Sequence, residues 1–131
     1  MTLSIIMCNY NYGMYIQHAL EGIATQTVKP FELIIIDDAS TDNSMAIIQS
    51  YASRYQWIQV HRNRINKGAY QSAQYGLEIA TGDYVYFTCS DDRILRNFVE
   101  VTLKAFSSNP NAGLVCSQPS FFEKNDKILI D

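Results

Sequence analysis

The sequence has little of several features that would at once assign it to a functional class. It has three cysteines and no Cys-x-x-Cys pair, so neither a disulfide framework nor a zinc site is indicated. Its longest purely aliphatic run, residues 33–36, is far shorter than the ~20 residues of a membrane-spanning helix. Its first residues lack the basic start of a secretory signal. We therefore expect reduced thiols, no transmembrane segment in this chain and a cytoplasmic location, with any membrane association arising from parts of a longer protein.

The charge shows no large excess of either sign. Ten Lys and Arg residues face 13 Asp and Glu residues, which gives a formal net charge of −3. Such a surface offers no general attraction to nucleic acid or to anionic membranes, so we expect no nucleic-acid partner. The composition, 47% hydrophobic with few Gly and Pro, is that of a folding chain rather than a disordered one. A single domain over residues 1–131 is predicted.

Short β-branched runs alternate with segments of helical period along the chain, and this alternation is typical of βαβ units around a mainly parallel sheet. Strands are predicted at residues 3–7, 31–36, 57–61, 84–88, 114–116 and 128–130, the last after a turn at 124–126. Helices are predicted up to about residue 25, after Asp42 or Ser44, and over residues 69–80 and 95–106. The inward residues predicted for the second and fourth helices are Ala46, Ile47, Tyr51, Leu95, Phe98, Val99, Thr102 and Leu103. The fold class is therefore α/β.

Two of the predicted strands end in paired carboxylates, Asp37-Asp38 and Asp91-Asp92. The carboxyl ends of parallel strands share one edge of the sheet, where open α/β folds bind their ligands. Four converging acids would repel one another unless a cation lay among them, and hard oxygen ligands select Mg²⁺ or Mn²⁺. Such a cation would in turn hold a diphosphate. The alternative is that the acids only cap the helices that follow them.

The order of these motifs resembles the amino-terminal part of a family 2 glycosyltransferase with the GT-A fold. Four blocks, spread over nearly the whole chain, carry the resemblance: residues 4–11 (SIIMCNYN), Gln26-Thr27 with residues 31–42 (FELIIIDDASTD), Asn66-Lys67-Gly68 with Gly76-Leu77 and residues 80–84 (ATGDY), and Ser90-Asp91-Asp92. The resemblance implies a Rossmann-like GT-A fold with a mainly parallel central sheet flanked by helices. It also implies that the fold is truncated on its C-terminal side.

The resemblance further implies a role for particular residues. Tyr10 would pack beside the nucleobase, and Asp38 would contact the base or the ribose. Asp91 and Asp92 would form the acidic motif, with Asp92 as the direct ligand of a divalent cation, Mn²⁺ or Mg²⁺, that bridges the diphosphate. The nucleotide-binding set implied in this way comprises Tyr10, Asn11, Asp37, Asp38, Lys67, Gly68 and Asp91.

The implied activity is inverting transfer of a sugar from a nucleoside-diphosphate sugar, with a UDP-sugar expected, to a hydroxyl of a saccharide or other acceptor. A carboxylate on a later segment deprotonates the acceptor in such enzymes, so the catalytic base is expected beyond residue 131. The acceptor half of the domain would then be absent, and this chain alone would bind donor without transferring sugar. Apolar surface left exposed at the sheet edge favours a homo-oligomer.

The sequence departs from the family pattern at several positions. Cys8-Asn9 replaces the usual Pro-Thr, and Cys89 stands where many members have the first Asp of the acidic motif. Ser72-Ala73-Gln74 replaces Ala-Arg-Asn, so an arginine that assists phosphate binding is missing. The candidates to substitute for it are Lys67, Arg62 and Arg64, although a solvated loop is the alternative for these three.

Three other classes of function compete with a transferase. A non-catalytic nucleotide-binding module stays open, because no catalytic base is visible. A phospho-acceptor receiver domain needs its acid pair after the first strand, where this chain has Cys8-Asn9-Tyr10. Dinucleotide binding is disfavoured because no Gly-x-Gly-x-x-Gly follows that strand.

Overall fold

The protein, in a computed structural model that describes residues 1–122 and 128–129, is built around a four-stranded parallel sheet. The strands are β1 (Leu3–Asn9), β2 (Glu32–Asp37), β3 (Ile58–Arg62) and β4 (Tyr84–Cys89), in the order β3-β2-β1-β4. The helices are α1 (Ile16–Ala24), α2 (Ser44–Ala52), α3 (Ala69–Ile79) and α4 (Phe98–Ser108). The predicted α/β class with a mainly parallel sheet is confirmed.

Helices cover both faces of the sheet, and this explains why β1 and β2 are almost continuous aliphatic runs. On one face, alternate residues of these strands form the larger core with α1, α2 and α4. On the other face, Ile6, Ile34 and Ile36 form a smaller core beneath α3. A Cβ on Gly76 of α3 would lie 2.5 Å from Ile6 Cγ2, so this glycine is what lets α3 approach the sheet so closely.

Helix α4 packs on β4 through aromatic pairs, Tyr84 with Phe106 and Tyr86 with Phe98. It begins at Phe98 rather than at the predicted residue 95, and Leu95 is 73% exposed instead of buried. The cause is Gln26, which donates to the Leu95 carbonyl at 2.7 Å and accepts from the Val99 N–H at 3.0 Å. This side chain caps α4 and holds the preceding loop in a non-helical conformation.

Two other predictions of local structure are wrong in part or in full. In α2 the inward positions predicted at Ile47 and Tyr51 are confirmed, since Tyr51 is buried and Ile47 packs against the core. Ala46 is exposed instead, because the helix starts at Ser44 and buries the i, i+4, i+7 face of Ser44, Ile48 and Tyr51. Residues 114–116 form no strand, since Leu114 is 77% exposed, Cys116 is exposed and only Val115 is half-buried against the other described residues.

The predicted strand at 128–130 is confirmed at Ile128–Leu129, which forms β6. It pairs antiparallel with β5 (Phe121–Phe122), a strand that the sequence analysis does not predict. The turn predicted at residues 124–126, and Ile130, lie outside the described residues. Within the part of the chain that is described, no helix combines the length and the hydropathy needed to cross a bilayer.

Candidate functional site

The carboxyl ends of the four parallel strands form one edge of the sheet, and every residue of the predicted site lies on it. The chain runs outward from β1 through β2 to β3, whereas β4 pairs with the opposite side of β1. The strand order therefore reverses between β1 and β4. Ligands of open α/β sheets bind at such a switch point, outside the carboxyl ends of the strands.

Asp37, the last residue of β2, is fully buried and bonded to its neighbours. Its Oδ1 accepts from Asn9 Nδ2 at 2.8 Å, and its Oδ2 accepts from the Ser40 N–H at 3.1 Å. Arg62 Nε lies 3.4 Å from the same Oδ2, and its Nη2 donates to the Ser40 carbonyl. Asp37 thus joins the ends of β1, β2 and β3 from inside the protein.

Asp38 holds the loop between β3 and α3 and is only 3% exposed. Its Oδ1 accepts from Asn63 Nδ2 at 2.7 Å and from the Lys67 N–H at 2.8 Å, and its Oδ2 accepts from the Gly68 N–H at 2.7 Å. Burial alone would raise the pKa of Asp38, but the hydrogen bonds from Lys67, Asn63 and Gly68 outweigh it and lower the pKa below the usual value. Asp38 is therefore a carboxylate at neutral pH.

Gly68 allows the loop to enter α3 in the conformation that Asp38 requires. Its φ of 87° and ψ of 156° lie in a region that is essentially accessible to glycine alone. The backbone N–H of Lys67 is bonded to Asp38, while its side chain is exposed. Lys67 lines a basic groove with Arg62 and Arg64. Arg62 is also bonded to Asp37, so Lys67 and Arg64 are the more accessible cations of this groove.

Tyr10 and Asn11 follow β1, the central strand of the edge. Asn11 has a positive φ of 58°, and its Oδ1 accepts from the Thr41 N–H at 2.8 Å and from the Asp42 N–H at 3.3 Å. These bonds connect the loops after β1 and β2. The Tyr10 side chain is 45% exposed, at the strand end between the two acid pairs. Asn11 therefore orders the edge, whereas Tyr10 presents an aromatic ring to solvent.

The turn after β4 carries the second acid pair. The Cys89 sulfur and one carboxylate oxygen each from Asp91 and Asp92 lie within 4.8 Å of one another, and all three side chains are exposed. Ser90, which lies between them in sequence, points inward, is 2% exposed and donates to the Cys8 carbonyl at 2.8 Å. This turn can offer three ligands to a single divalent cation.

The four acids do not surround a common point, and the expectation that they do is wrong. Among the described residues, the only group of three or more His, Cys, Asp and Glu donors close enough to share an ion is Cys89, Asp91 and Asp92. Asp37 and Asp38 use their oxygens to bind internal N–H donors instead. The two pairs therefore have different structural environments.

Two cysteines lie side by side at this edge, because Cys8 of β1 is in register with Cys89 of β4. Burial raises the pKa of Cys8 to about 11, and the neighbouring Cys89 and Asp38 add to this effect. Burial, with Asp92 and Asp91 nearby, also raises the pKa of Cys89. Both sulfurs are therefore thiols at neutral pH when no cation is bound.

Comparison with models of protein families identifies the family of the chain. The family model described as Glycosyl transferase family 2 matches residues 4–129. The chain belongs to glycosyl transferase family 2. The resemblance drawn from the four sequence blocks is thereby confirmed.

Individual family members are similar over most of the chain. Cholesterol galactosyltransferase of Borreliella burgdorferi is 33% identical over 116 residues, which are 88% of this chain and 32% of that protein. The structure of S. aureus TarS 1-349 in complex with UDP-GlcNAc has a TM-score of 0.78 and 27% identity, and it covers 84% of this chain and 32% of that one. The chain thus spans about a third of the length of each.

The mannosyltransferase PcManGT from Pyrobaculum calidifontis, solved with GDP-Man and Mn²⁺, shares the fold with a TM-score of 0.72. Its sequence identity is 22%, and the match covers 80% of this chain and 32% of that one. The expected Rossmann-like GT-A fold is confirmed by these neighbours.

The structure brings to this edge several residues that the sequence analysis did not assign to the site. Asn63 and Ser40 bond to the first acid pair, and Cys89 joins the second. Asn63 directly follows β3, as Asp38 follows β2, so its position after a strand was the available signal. Ser40 and Cys89 adjoin the acid pairs in sequence, but no periodicity shows which way their side chains point.

Proposed function

We propose that this chain binds the nucleotide of a nucleoside-diphosphate sugar, with UDP the expected nucleotide, at the switch point between β1 and β4. The observation that carries the proposal is that two exposed features lie at that point. One is the ring of Tyr10, and the other is the group of donors from Cys89, Asp91 and Asp92. When this chain is part of a longer protein, the sugar of the bound donor would be transferred to an acceptor hydroxyl with inversion. The UDP-GlcNAc complex of TarS supports the choice of nucleotide.

Tyr10 and Asp38 are the residues we assign to the nucleoside. An exposed aromatic ring provides a stacking surface for a base. A carboxylate has about four acceptor positions. Asn63, Lys67 and Gly68 donate to Asp38, and the Ser72 hydroxyl also bonds to it. A base N–H or a ribose hydroxyl would therefore share an Asp38 oxygen with one of these internal donors. Asp37 and Asn11 would act indirectly, by holding the loops that carry these two residues.

Asp91 and Asp92 are the residues we assign to a divalent cation, with Mn²⁺ or Mg²⁺ expected from their oxygen donors. Their two carboxylates and the adjacent Cys89 are close enough to bind one ion, so the residues present fit such a group. When bound, the cation would supply charge stabilisation for the departing diphosphate. Lys67 and Arg64 are the side chains that can add positive charge from the other end of the edge.

We infer that residues 1–131 are the donor-binding part of a transferase domain, with the acceptor site and the catalytic base outside them. The carboxylates of the described sheet edge are assigned to the nucleoside, the cation or the loops. A positioned base contributes about 10²- to 10⁴-fold to a transfer rate. The 131-residue chain is therefore expected to bind donor without turnover. A cytoplasmic location and a homo-oligomeric state remain the expectations drawn from the sequence.

The experiment is a thermal-shift series with UDP, GDP and dTDP, each with Mn²⁺ or with EDTA. Ligand at 100 times its dissociation constant stabilises a fold by ~2.7 kcal/mol, so UDP with Mn²⁺ should raise the melting temperature and EDTA should remove the effect. Tyr10→Ala should weaken UDP binding by about 5- to 150-fold, since stacking on a base contributes about 1–3 kcal/mol. Tyr12→Ala is the matched control, because this exposed ring packs against Tyr15. A folded chain that responds to none of the nucleotides would refute the proposal.

A further inference from the structure

We propose that the sulfur of Cys89 is a direct ligand of the divalent cation, together with Asp91 and Asp92. The site would then bind thiophilic cations such as Zn²⁺, Co²⁺ and Cd²⁺ through a sulfur bond that Mg²⁺ does not favour. This inference rests on the proposed function, because it concerns the cation of the same site, and it assigns a role to a residue at which the chain departs from its family.

The first argument is distance. Two ligands bonded at about 2.0–2.3 Å to a common tetrahedral Zn²⁺ lie about 3.3–3.8 Å apart. The Cys89 sulfur and the carboxylate oxygens of Asp91 and Asp92 all lie within 4.8 Å of one another. Side-chain movements of no more than about 1.5 Å would therefore bring all three to bonding distance without a change in the backbone.

The second argument is that the backbone of the turn is fixed while its three donor side chains are exposed to solvent. Ser90 Oγ is bonded to the Cys8 carbonyl on β1, which holds the turn against the central strand. The Asp92 N–H donates to the Cys89 carbonyl, and the Cys89 N–H donates to Asp92 Oδ2, both at 3.3 Å. The side chains of Cys89, Asp91 and Asp92 are exposed around this scaffold, so a cation can reach them from solvent.

The third argument is the chemistry of the donor set. Thiolate ligands select soft or borderline cations, whereas carboxylates suit Mg²⁺ and Mn²⁺. A site with one sulfur and two carboxylates combines both preferences. Binding would break the S–H bond of Cys89, form a sulfur–metal bond and release one proton to solvent, with no change in oxidation state.

The test is a Co²⁺ titration of the 131-residue chain, with and without UDP, followed by absorption in the near ultraviolet. A sulfur–Co²⁺ bond produces a ligand-to-metal charge-transfer band, and carboxylate ligands alone do not. The variants are Cys89→Ser, Cys8→Ser and Cys116→Ser. Cys116 is an exposed cysteine that is not among the grouped donors, so it is the matched control. Thermal melts establish that each variant folds.

We expect the band in the wild type, Cys8→Ser and Cys116→Ser, and its loss in Cys89→Ser. Calorimetry should show at least about a tenfold loss of Zn²⁺ affinity in Cys89→Ser, since even residues that only support metal ligands change affinity by that factor. Mg²⁺ affinity should remain within about twofold, because oxygen donors provide most of its binding.

Three outcomes would overturn the inference, and calorimetry with UDP shows whether the proposed function is overturned with it. If Cys89→Ser and the wild type bind Zn²⁺ and Co²⁺ equally and neither shows the band, Cys89 is not a ligand, while metal-dependent UDP binding would still stand. If the band disappears in Cys8→Ser instead, the sulfur ligand is Cys8 and the assignment is wrong. Wild-type protein that binds no UDP with any cation would overturn the proposed function and this inference together.

Discussion

The two acid pairs at the carboxyl ends of β2 and β4 look equivalent in sequence, but the structure places them in opposite environments. Asp37 and Asp38 are buried and accept hydrogen bonds from the loops around them. Asp91 and Asp92 are exposed, and they lie with Cys89 in a group able to bind an ion. The difference shows that paired carboxylates after a strand can either organise a site or bind its ligand. Substitutions at the two pairs should separate these roles.

The largest effect on stability is expected at Asp37. Asp37→Ala would leave Asn9 Nδ2 and the Ser40 N–H without their acceptor in a buried position and would remove the partner of Arg62. Losing hydrogen bonds to a buried charged group should lower the free energy of unfolding by about 3 kcal/mol. Urea denaturation would measure the change, and Asp91→Ala is the exposed control. Equal stability of the two variants would contradict the buried role of Asp37.

A smaller effect, with a pH signature, is expected at Asp38. Asp38→Asn would replace an acceptor that serves three donors with a group that has one carbonyl, at a cost of about 1–3 kcal/mol. Because the pKa of Asp38 is lowered in the folded state, its ionisation stabilises the fold fully above the ordinary value of 3.8 and ceases to do so as the pH falls through the lowered value. The stability difference between wild type and variant should therefore be constant from pH 7 to about 5 and should shrink below pH 4.

Urea melts across this pH range would test the prediction at Asp38. Glu32 at the opposite end of the sheet is a useful comparison, because Thr81 and Ser4 donate to it and its pKa is also lowered, despite the opposing effect of burial. The free energy of unfolding of Asp38→Asn should therefore still fall below pH 4, because the variant keeps Glu32. A difference between wild type and Asp38→Asn that grows on acidification would contradict the assignment.

The loop that Asp38 holds should be sensitive to the conformation of Gly68. Gly68→Ala meets no steric obstacle, since nothing lies within 4 Å of the added Cβ, so any loss reflects the backbone alone. Its φ of 87° and ψ of 156° should cost a residue with a side chain about 1–3 kcal/mol. Gly113→Ala, where the Cβ is equally unobstructed, is the matched control. Circular dichroism melts should show a loss at Gly68 and little at Gly113.

The contrast between the acid pairs also shows what could be predicted from the sequence. Hydrophobic periodicity and β-branched residues were enough to predict the α/β class and the four parallel strands. Burial on both faces of the sheet makes β1 and β2 almost continuously aliphatic, and this pattern is visible in the sequence. The direction in which Asp37 and Asp38 point depends on donors far along the chain, such as Asn63 and Gly68. Side-chain hydrogen bonds between distant residues have no periodicity, so no local pattern indicated them. The start of α4 was missed for the same reason, since Gln26 caps it from the loop after α1.

The smallest effect on stability, and the clearest on binding, is expected at Asp92. The side chain is exposed, so Asp92→Ala should change the free energy of unfolding by no more than about 0.5 kcal/mol, as is usual for surface substitutions. The same change removes a proposed cation ligand, so UDP affinity in Mn²⁺ should fall to the level measured in EDTA. Asp38→Asn should show the reverse, with weaker UDP binding in Mn²⁺ and unchanged Mn²⁺ binding when no nucleotide is present. Calorimetric titrations of Mn²⁺ alone and of UDP with and without Mn²⁺ give all of these quantities. If Asp92→Ala and Asp38→Asn reduce Mn²⁺ binding equally, both pairs contribute to one cation site, and the division of roles drawn from their burial is wrong.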